Sequence, residues 1–382
     1  MSAILLPKFL VLDTATLAKA SCDYSSSRAS AREKARTWVN RLQDNGVYIS
    51  FALTHIIELI RHEDRTVFND RLGFLRSLPQ VAWVQPYDRN WFPGSIVDVF
   101  VRELHALIHD AKNTWKGIVD CVRPDFWQTG TGEELFVDDD VFWSVLRRHA
   151  IKQLDHQQYI ASLSRTDPGR LGDLTIGELA EMPIRPKEER PDFAPTFVRD
   201  LEDQLKHHGD RRFITSSHKA AAHFVLEALR RVESIEAKTV DSFSGVLENW
   251  RIPSSEIRPS MTVKEVGELG VYIAQLDLFA QKLIPRANVT IGNAPPDSLP
   301  SYVLQRKLVA VQERAERVSG SDLGDRDFVP LALYANGLEV DKRTHSFLGQ
   351  VVKRTPSLRG LIGEFFRCSN YSSIPEQIVC GN

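Results

Sequence analysis

The first 85 residues alternate short β-branched or leucine-rich runs with helical segments, and that alternation restricts the chain to an α/β fold with a parallel sheet. The run FLVLD reads as a strand ending in Asp13, followed by a helix and the polar stretch CDYSSSRAS. From Ala29 to Leu42 the pattern is an amphipathic helix, halted by Asp44, Asn45 and Gly46 before the strand VYIS. Helices follow over Leu53 to Arg61 and Arg65 to Ser77, and Pro79 leads into the strand VAWV.

From Pro86 to about Gly320 the pattern changes. Stretches such as SIVDVFVRELHALIHDA, HKAAAHFVLEALRRVESI and KEVGELGVYIAQLDLFAQKLI carry apolar residues at helical spacing. The proline-rich and charged segment MPIRPKEERPDFAP and the stretch IGNAPPDSLP interrupt them as loops. After Gly320 the α/β pattern returns: SDLGDRDFVPLALYANG reads as a helix and its exit, LEVD as a short strand, HSFLGQVVKR as another helix. The economical organisation is one α/β domain built from residues 1–86 and 321–382, with a mainly helical insertion over 87–320. No internal repeat is present.

At 382 residues, with 42% apolar and 26% charged residues, the chain can bury a large core. No apolar run approaches the ~20 residues that span a bilayer. The start MSAILLPKFLVLDTAT places an acidic residue where a signal peptide needs a cleavage region, so a cytoplasmic protein is expected. The four cysteines, Cys22, Cys121, Cys368 and Cys380, form no CxxC pair, which argues against a disulfide framework or a zinc site. A net charge of -2 gives no global attraction for a polyanion, so any nucleic-acid contact has to be local. Two cationic groups stand out, Arg61, Arg65, Arg71 and Arg76, then Lys342, Arg343, Lys353, Arg354 and Arg359, and the ordinary fate of such groups is a solvated helix face. No glycine-rich phosphate loop occurs, so ATP or NAD dependence is not expected.

Ligand sites of open parallel sheets lie beyond the carboxyl ends of the strands, where both Asp13 and Asp341 stand. Asp322 and Asp325 lie one helical turn apart near a helix start that favours negative side chains. Glu58 sits in the helix after VYIS. Carboxylates brought together repel unless divalent cations neutralise them, and oxygen donors of this kind suit Mg2+ or Mn2+.

In three segments the sequence resembles the PIN-domain family of nucleases: FLVLDTATL with Asp13, VYISFALTHIIELIRH with Glu58, and SDLGDRDFVPLALYANGLEVDKRT with Asp322, Asp325 and Asp341. The resemblance covers about the first 85 and last 60 residues and none of the middle. It implies a three-layer parallel-sheet domain in which Asp13, Glu58, Asp325 and Asp341 hold one or two Mg2+ or Mn2+ ions for phosphodiester hydrolysis, with Asp322 close behind Asp325. Asp327 is a further candidate whose two-residue offset from Asp325 directs it elsewhere on a helix. RNA is the implied substrate ahead of DNA, with Thr14, Ser50, Lys342 and Arg343 as substrate contacts. For Thr14 and Ser50, a capping or turn hydroxyl is an equally good reading. A toxin or defence effector is one setting for such an enzyme.

Two competing readings set the contrast. Arg212 and His218 in RRFITSSH match the loose pair of helical, metal-independent HEPN-type ribonucleases, which EDTA would separate from a metal enzyme. Alternatively the α/β part is a catalytically weak binding or assembly module, its helical insertion contacting a partner protein or a second copy. Asp138 to Asp140 read as an acidic helix start, and no histidine pair has metal-ligand spacing.

Overall fold

The computed structural model describes residues 7–88, 93–163, 172–181, 193–208, 216–236, 252–314 and 320–380. Strand β1 (Lys8–Val11) leads through α1 (Thr14–Tyr24) and α2 (Ala29–Asp44) to β2 (Val47–Phe51). Gly46, at φ 65°, makes the left-handed turn that ends α2, the conformation glycine adopts without a steric cost. Then come α3 (Leu53–Ile60), α4 (Arg65–Arg76) and β3 (Val81–Val84). These elements stand where the alternating pattern puts them.

Helices α5 (Ile96–Ile108) and α6 (Trp115–Val122) follow, then β4 (Trp127–Gly130), α7 (Gly132–Leu135) and the long α8 (Asp140–Leu163). The middle continues with α9 (Ile176–Glu181), α10 (Phe193–His208), α11 (Ser217–Glu236), α12 (Val263–Lys282) and α13 (Pro300–Gln312). The chain closes with α14 (Gly320–Phe328), β5 (Gly337–Glu339), α15 (Lys342–Arg354), α16 (Pro356–Arg359), β6 (Glu364–Phe366) and α17 (Ile374–Cys380). No helix of the described residues is long and apolar enough to cross a membrane.

The six strands of the described residues form one sheet in the order β4-β3-β2-β1-β5-β6. Every pairing is parallel except β3 with β4. Side-chain alternation divides the strands between two cores: Leu10, Leu12, Val81 and Trp83 pack with α1, α2 and α4, whereas Val11, Ala82, Val84 and Leu338 pack with α5, α6, α13 and α15. Sealing side chains such as Leu10 and Val11 at 1% and 0% exposure contributes roughly 1.5–3 kcal/mol each. The sheet is thus sandwiched between two helical layers.

Residues 87–320 do not behave as one body set apart from the sheet. Strand β4 is a sheet edge, and Val99, Ile118, Phe126, Leu304 and Leu308 belong to the same core as Leu338 and Val340. Packing therefore divides the chain elsewhere than at 86 and 320: the ends of the expected insertion complete the α/β layers. Farther from the sheet, Ile176, Ile252, Val266 and Ile273 form a small core of their own, as do Leu201, Leu205, Ala221 and Val225.

One seam joins the α/β layers to α13. Glu103 of α5 is wholly buried, accepts the Ser301 N–H at 3.1 Å with both carboxylate oxygens, and accepts the Tyr334 hydroxyl at 2.6 Å. Burial pushes its carboxyl up to about 7, against the lowering effect of these donors.

Candidate functional site

After β1 the chain turns to β2 and β3 on one side, and β5 and β6 lie on the other. The crevice beyond the ends of β1 and β5 is therefore the topological switch point of the sheet. Val11 pairs with Leu338, so the residues that leave these two strands emerge side by side. Leu12 and Val340 are fully buried, and the next residue on each side is an aspartate.

Both aspartates cap helices. The half-buried Asp13 is the N-cap of α1, its Oδ1 accepting the Ala15 N–H at 2.8 Å. The exposed Asp341 is the N-cap of α15, its Oδ1 accepting the Thr344 N–H at 2.6 Å. Capping fixes each carboxylate relative to its helix. Burial raises the Asp13 carboxyl above the usual carboxylate range; the Ala15 hydrogen bond opposes this, and the charges of Asp341 and Glu58 add to the rise. Asp13 thus responds to acids from two further segments.

Glu58 arrives from α3 with its side chain 15% exposed. Its Oε2 accepts the Thr14 hydroxyl at 2.9 Å, and its Oε1 meets Arg61 at 3.2 Å. The carboxylate lies tight against α14: a Cβ built on Gly324 would come within 2.5 Å of Glu58 Oε1. Glycine at that position lets the acid pass beneath the helix.

Helix α14 adds two acids. Asp325 Oδ2 accepts the hydroxyl of Thr344, whose own amide bonds to Asp341, so one buried threonine ties both carboxylates together. Asp327, expected to point elsewhere, faces Glu58; burial and then the Glu58 charge push its carboxyl up to about 6, while Arg326 pulls it down. Residues 327 and 325 diverge on the helix, yet Thr344 and Glu58 approach from different sides and meet one each. The Asp322 side chain lies outside the described residues.

Glu339, which the sequence reading passed over, belongs to the same place. It is 3% exposed in β5, and its Oε2 accepts the Asp13 N–H across the β1/β5 seam at 3.0 Å. Burial, then the Asp13 charge, pushes its carboxyl up to about 7. A glutamate inside a strand is itself a signal, since strands are depleted in glutamate.

The expected substrate contacts divide. Thr14 orients Glu58 instead of merely capping a turn. Ser50 is a correction: at 1% exposure its hydroxyl donates to the Tyr48 carbonyl of its own strand, so it is sealed from any phosphate. Lys342 and Arg343 open α15 directly after Asp341, with Lys342 exposed and Arg343 lying 5.3 Å from the Phe347 ring centre. Of the first cationic group, Arg71 donates to the Leu59 carbonyl, and Arg76 donates to the Phe136 and Val137 carbonyls and pairs with Asp138 at 3.0 Å. Arg71 thus ties the end of α3, and Arg76 staples the loop after α7. Asp139 accepts the Phe142 N–H at 2.9 Å, the helix-start role expected of that acidic run.

Arg212 lies outside the described residues, and the exposed His218 is paired with Glu202 at 2.8 Å. Among the described residues no three His, Cys, Asp or Glu side chains close on one metal-binding group. The donors at the switch point are nonetheless carboxylate oxygens, the chemistry that hard divalent cations take. Comparison with protein-family models, with curated proteins and with solved structures finds no match.

Proposed function

We propose that this chain is a PIN-type, metal-dependent nuclease that hydrolyses phosphodiester bonds, in RNA ahead of DNA, as a cytoplasmic toxin or defence effector. The observation that carries this reading is the meeting at the β1/β5 switch point of Asp13 with Asp341 and Glu58, acids from two further segments whose charges add to the rise of the Asp13 carboxyl that burial begins. Acids that share a crevice against their mutual repulsion are concentrated at catalytic and binding sites.

Asp13, Glu58, Asp325 and Asp341 would hold Mg2+ or Mn2+, and Asp322 would serve in the place of Asp325 if its side chain reaches the crevice. When bound, the ion supplies Lewis acidity toward the scissile phosphate and a water acidified for attack. The protein's own contribution is placement. Asp13 and Asp341 are held by capping hydrogen bonds, Glu58 by Thr14 and Arg61, and Asp325 by Thr344. Lys342 and Arg343 would receive flanking phosphates without reading sequence.

The test is cleavage of labelled single-stranded RNA and DNA by the purified protein with Mg2+, Mn2+ or EDTA, beside Asp13→Asn. Metal-dependent cutting that the variant loses is the expected result. Cutting that survives in EDTA would overturn the metal reading, and silence on every substrate would favour a binding module. That second reading has one observation behind it: Val271 and Leu278, on the same helix α12, are 59% and 46% exposed.

A further inference from the structure

At the opposite edge of the sheet from β4, a groove of about 600 Å³ lies between the C-terminal half of α15, α16 and β6. Its floor is apolar, from Val352, Pro356, Ile362 and Phe365, and two exposed cations, Lys353 and Arg359, stand over it. One acid, Glu364, lines its end. No ion pair involves Lys353 or Arg359 among the described contacts, so these two members of the second cationic group keep their charge for the groove.

The groove is bordered by an open strand edge. Glu364 donates its N–H to the Asn336 carbonyl and Phe366 accepts from the Val340 N–H, so these two residues spend their backbone groups on the β5 side. Alternation then turns the Phe365 amide and carbonyl outward, where β6 ends the sheet. Such an edge is a template for another strand. Successive side chains of an added strand point to opposite faces, so one set would descend onto α15 and α16, meeting apolar floor and cations together.

We infer that this edge is a docking site for an extended acidic peptide segment of a partner protein, which adds a strand to β6, seats apolar side chains on Val352, Ile362 and Phe365, and pairs its carboxylates with Lys353 and Arg359. Peptide is favoured over nucleic acid by the outward backbone groups of β6 and by a floor in which Val352, Pro356 and Ile362 outnumber the one ring of Phe365, since bases seek runs of aromatic stacking platforms. The site lies toward the far end of α15 from Asp341, so its occupation is separate from the proposed cleavage reaction.

The experiment uses the full chain and two capped peptides, one alternating valine with glutamate and one alternating valine with lysine, followed by fluorescence anisotropy and by hydrogen exchange. The acidic peptide is expected to bind saturably, to slow exchange over residues 361–367, and to weaken roughly threefold to tenfold in the surface variant Lys353→Glu/Arg359→Glu, whose exposed positions leave folding intact. Because the readout is binding and exchange, it stands whether or not the chain cleaves RNA. Equal binding of both peptides, protection elsewhere in the chain, or an RNA oligonucleotide that alone protects 361–367 would each overturn the inference.

Discussion

Two acids, one sealed and one half-buried, show how differently one chain can treat the same chemical group. Glu103 lies between α5 and α13 with donors around it, the Ser301 amide and the Tyr334 hydroxyl, and no acid among the causes of its raised carboxyl. Asp13, at the switch point, has Asp341 and Glu58 among the causes of its shift, and Glu339 and Asp327 respond in turn to Asp13 and Glu58. A buried acid surrounded by donors is satisfied as it stands and joins helices. An acid with other acids beside its donors keeps a residual repulsion that protons or a cation would relieve, and such tension is concentrated at functional sites.

The contrast breaks most decisively at Asp13 and Asp341. Asp13→Asn and Asp341→Asn should each lower cleavage by about a thousandfold, about 4 kcal/mol of barrier, while thermal unfolding stays within a few degrees of the parent. The amide still accepts the capping hydrogen bond, so the helices keep their starts. Full activity in both variants would remove the site from the switch point.

Glu103 should behave in the opposite way. Glu103→Ala strands the Ser301 amide and the Tyr334 hydroxyl in the core and is expected to cost about 2–5 kcal/mol of stability, read by denaturant unfolding. Cleavage per folded molecule should not change. The pH dependence has a definite sign. The folded carboxyl sits at about 7 against an ordinary 4.5, so its stabilising contribution is complete below about 4.5 and is lost as pH rises toward and through 7. Glu103→Gln removes the titration, and its stability should therefore be flatter over that window than the parent's. A parent curve that rises between 4.5 and 7 and is unchanged by the glutamine would show that Glu103 enters the fold already charged.

The same contrast explains what could be read from the sequence. Strands β1, β2, β3 and β5 were legible because their apolar runs are bounded by turn or polar residues, and Asp13 and Asp341 were legible as acids following such runs. Strand β4, WQTG, escaped because only Trp127 of its four residues is buried and Gln128 and Thr129 face outward, which reads as loop. Strand β6 is three residues long with an exposed glutamate at its head. Glu103 was hidden inside VDVFVRELHALI, where one acid among apolar residues looks like the polar stripe of an amphipathic helix. Whether such an acid faces water or a Tyr334 hydroxyl some 230 residues away depends on packing, not on local pattern. Ser50 failed for the same reason, a hydroxyl in an apolar strand turned back on its own backbone.

A smaller effect probes how Glu58 enters the site. Gly324→Ala adds a good helix former to α14, worth up to about 1 kcal/mol, but its Cβ would press on the Glu58 carboxylate. That carboxylate ends a flexible side chain and will yield. Cleavage is expected to fall roughly tenfold, about 1.4 kcal/mol, with the melting temperature unchanged or higher. Undiminished activity in a stabilised protein would mean that Glu58 need not sit where Thr14 and Arg61 hold it.

The smallest effect decides which acid of α14 serves. Thr344 is fully buried, donates its hydroxyl to Asp325 and its amide to Asp341. Thr344→Val is nearly the same size, keeps the amide bond to Asp341, and removes only the hydroxyl that orients Asp325. If Asp325 completes the ligand set, its looser carboxylate should raise the Mn2+ concentration needed for half-maximal cleavage by roughly threefold to tenfold, with little change at saturating metal. If the ligand is Asp322, the valine should leave that concentration where it was, and Asp322→Asn rather than Asp325→Asn should abolish cutting. The hydroxyl thus separates two acids one helical turn apart, because Asp325 is tied through Thr344 to the strand end that carries Asp341.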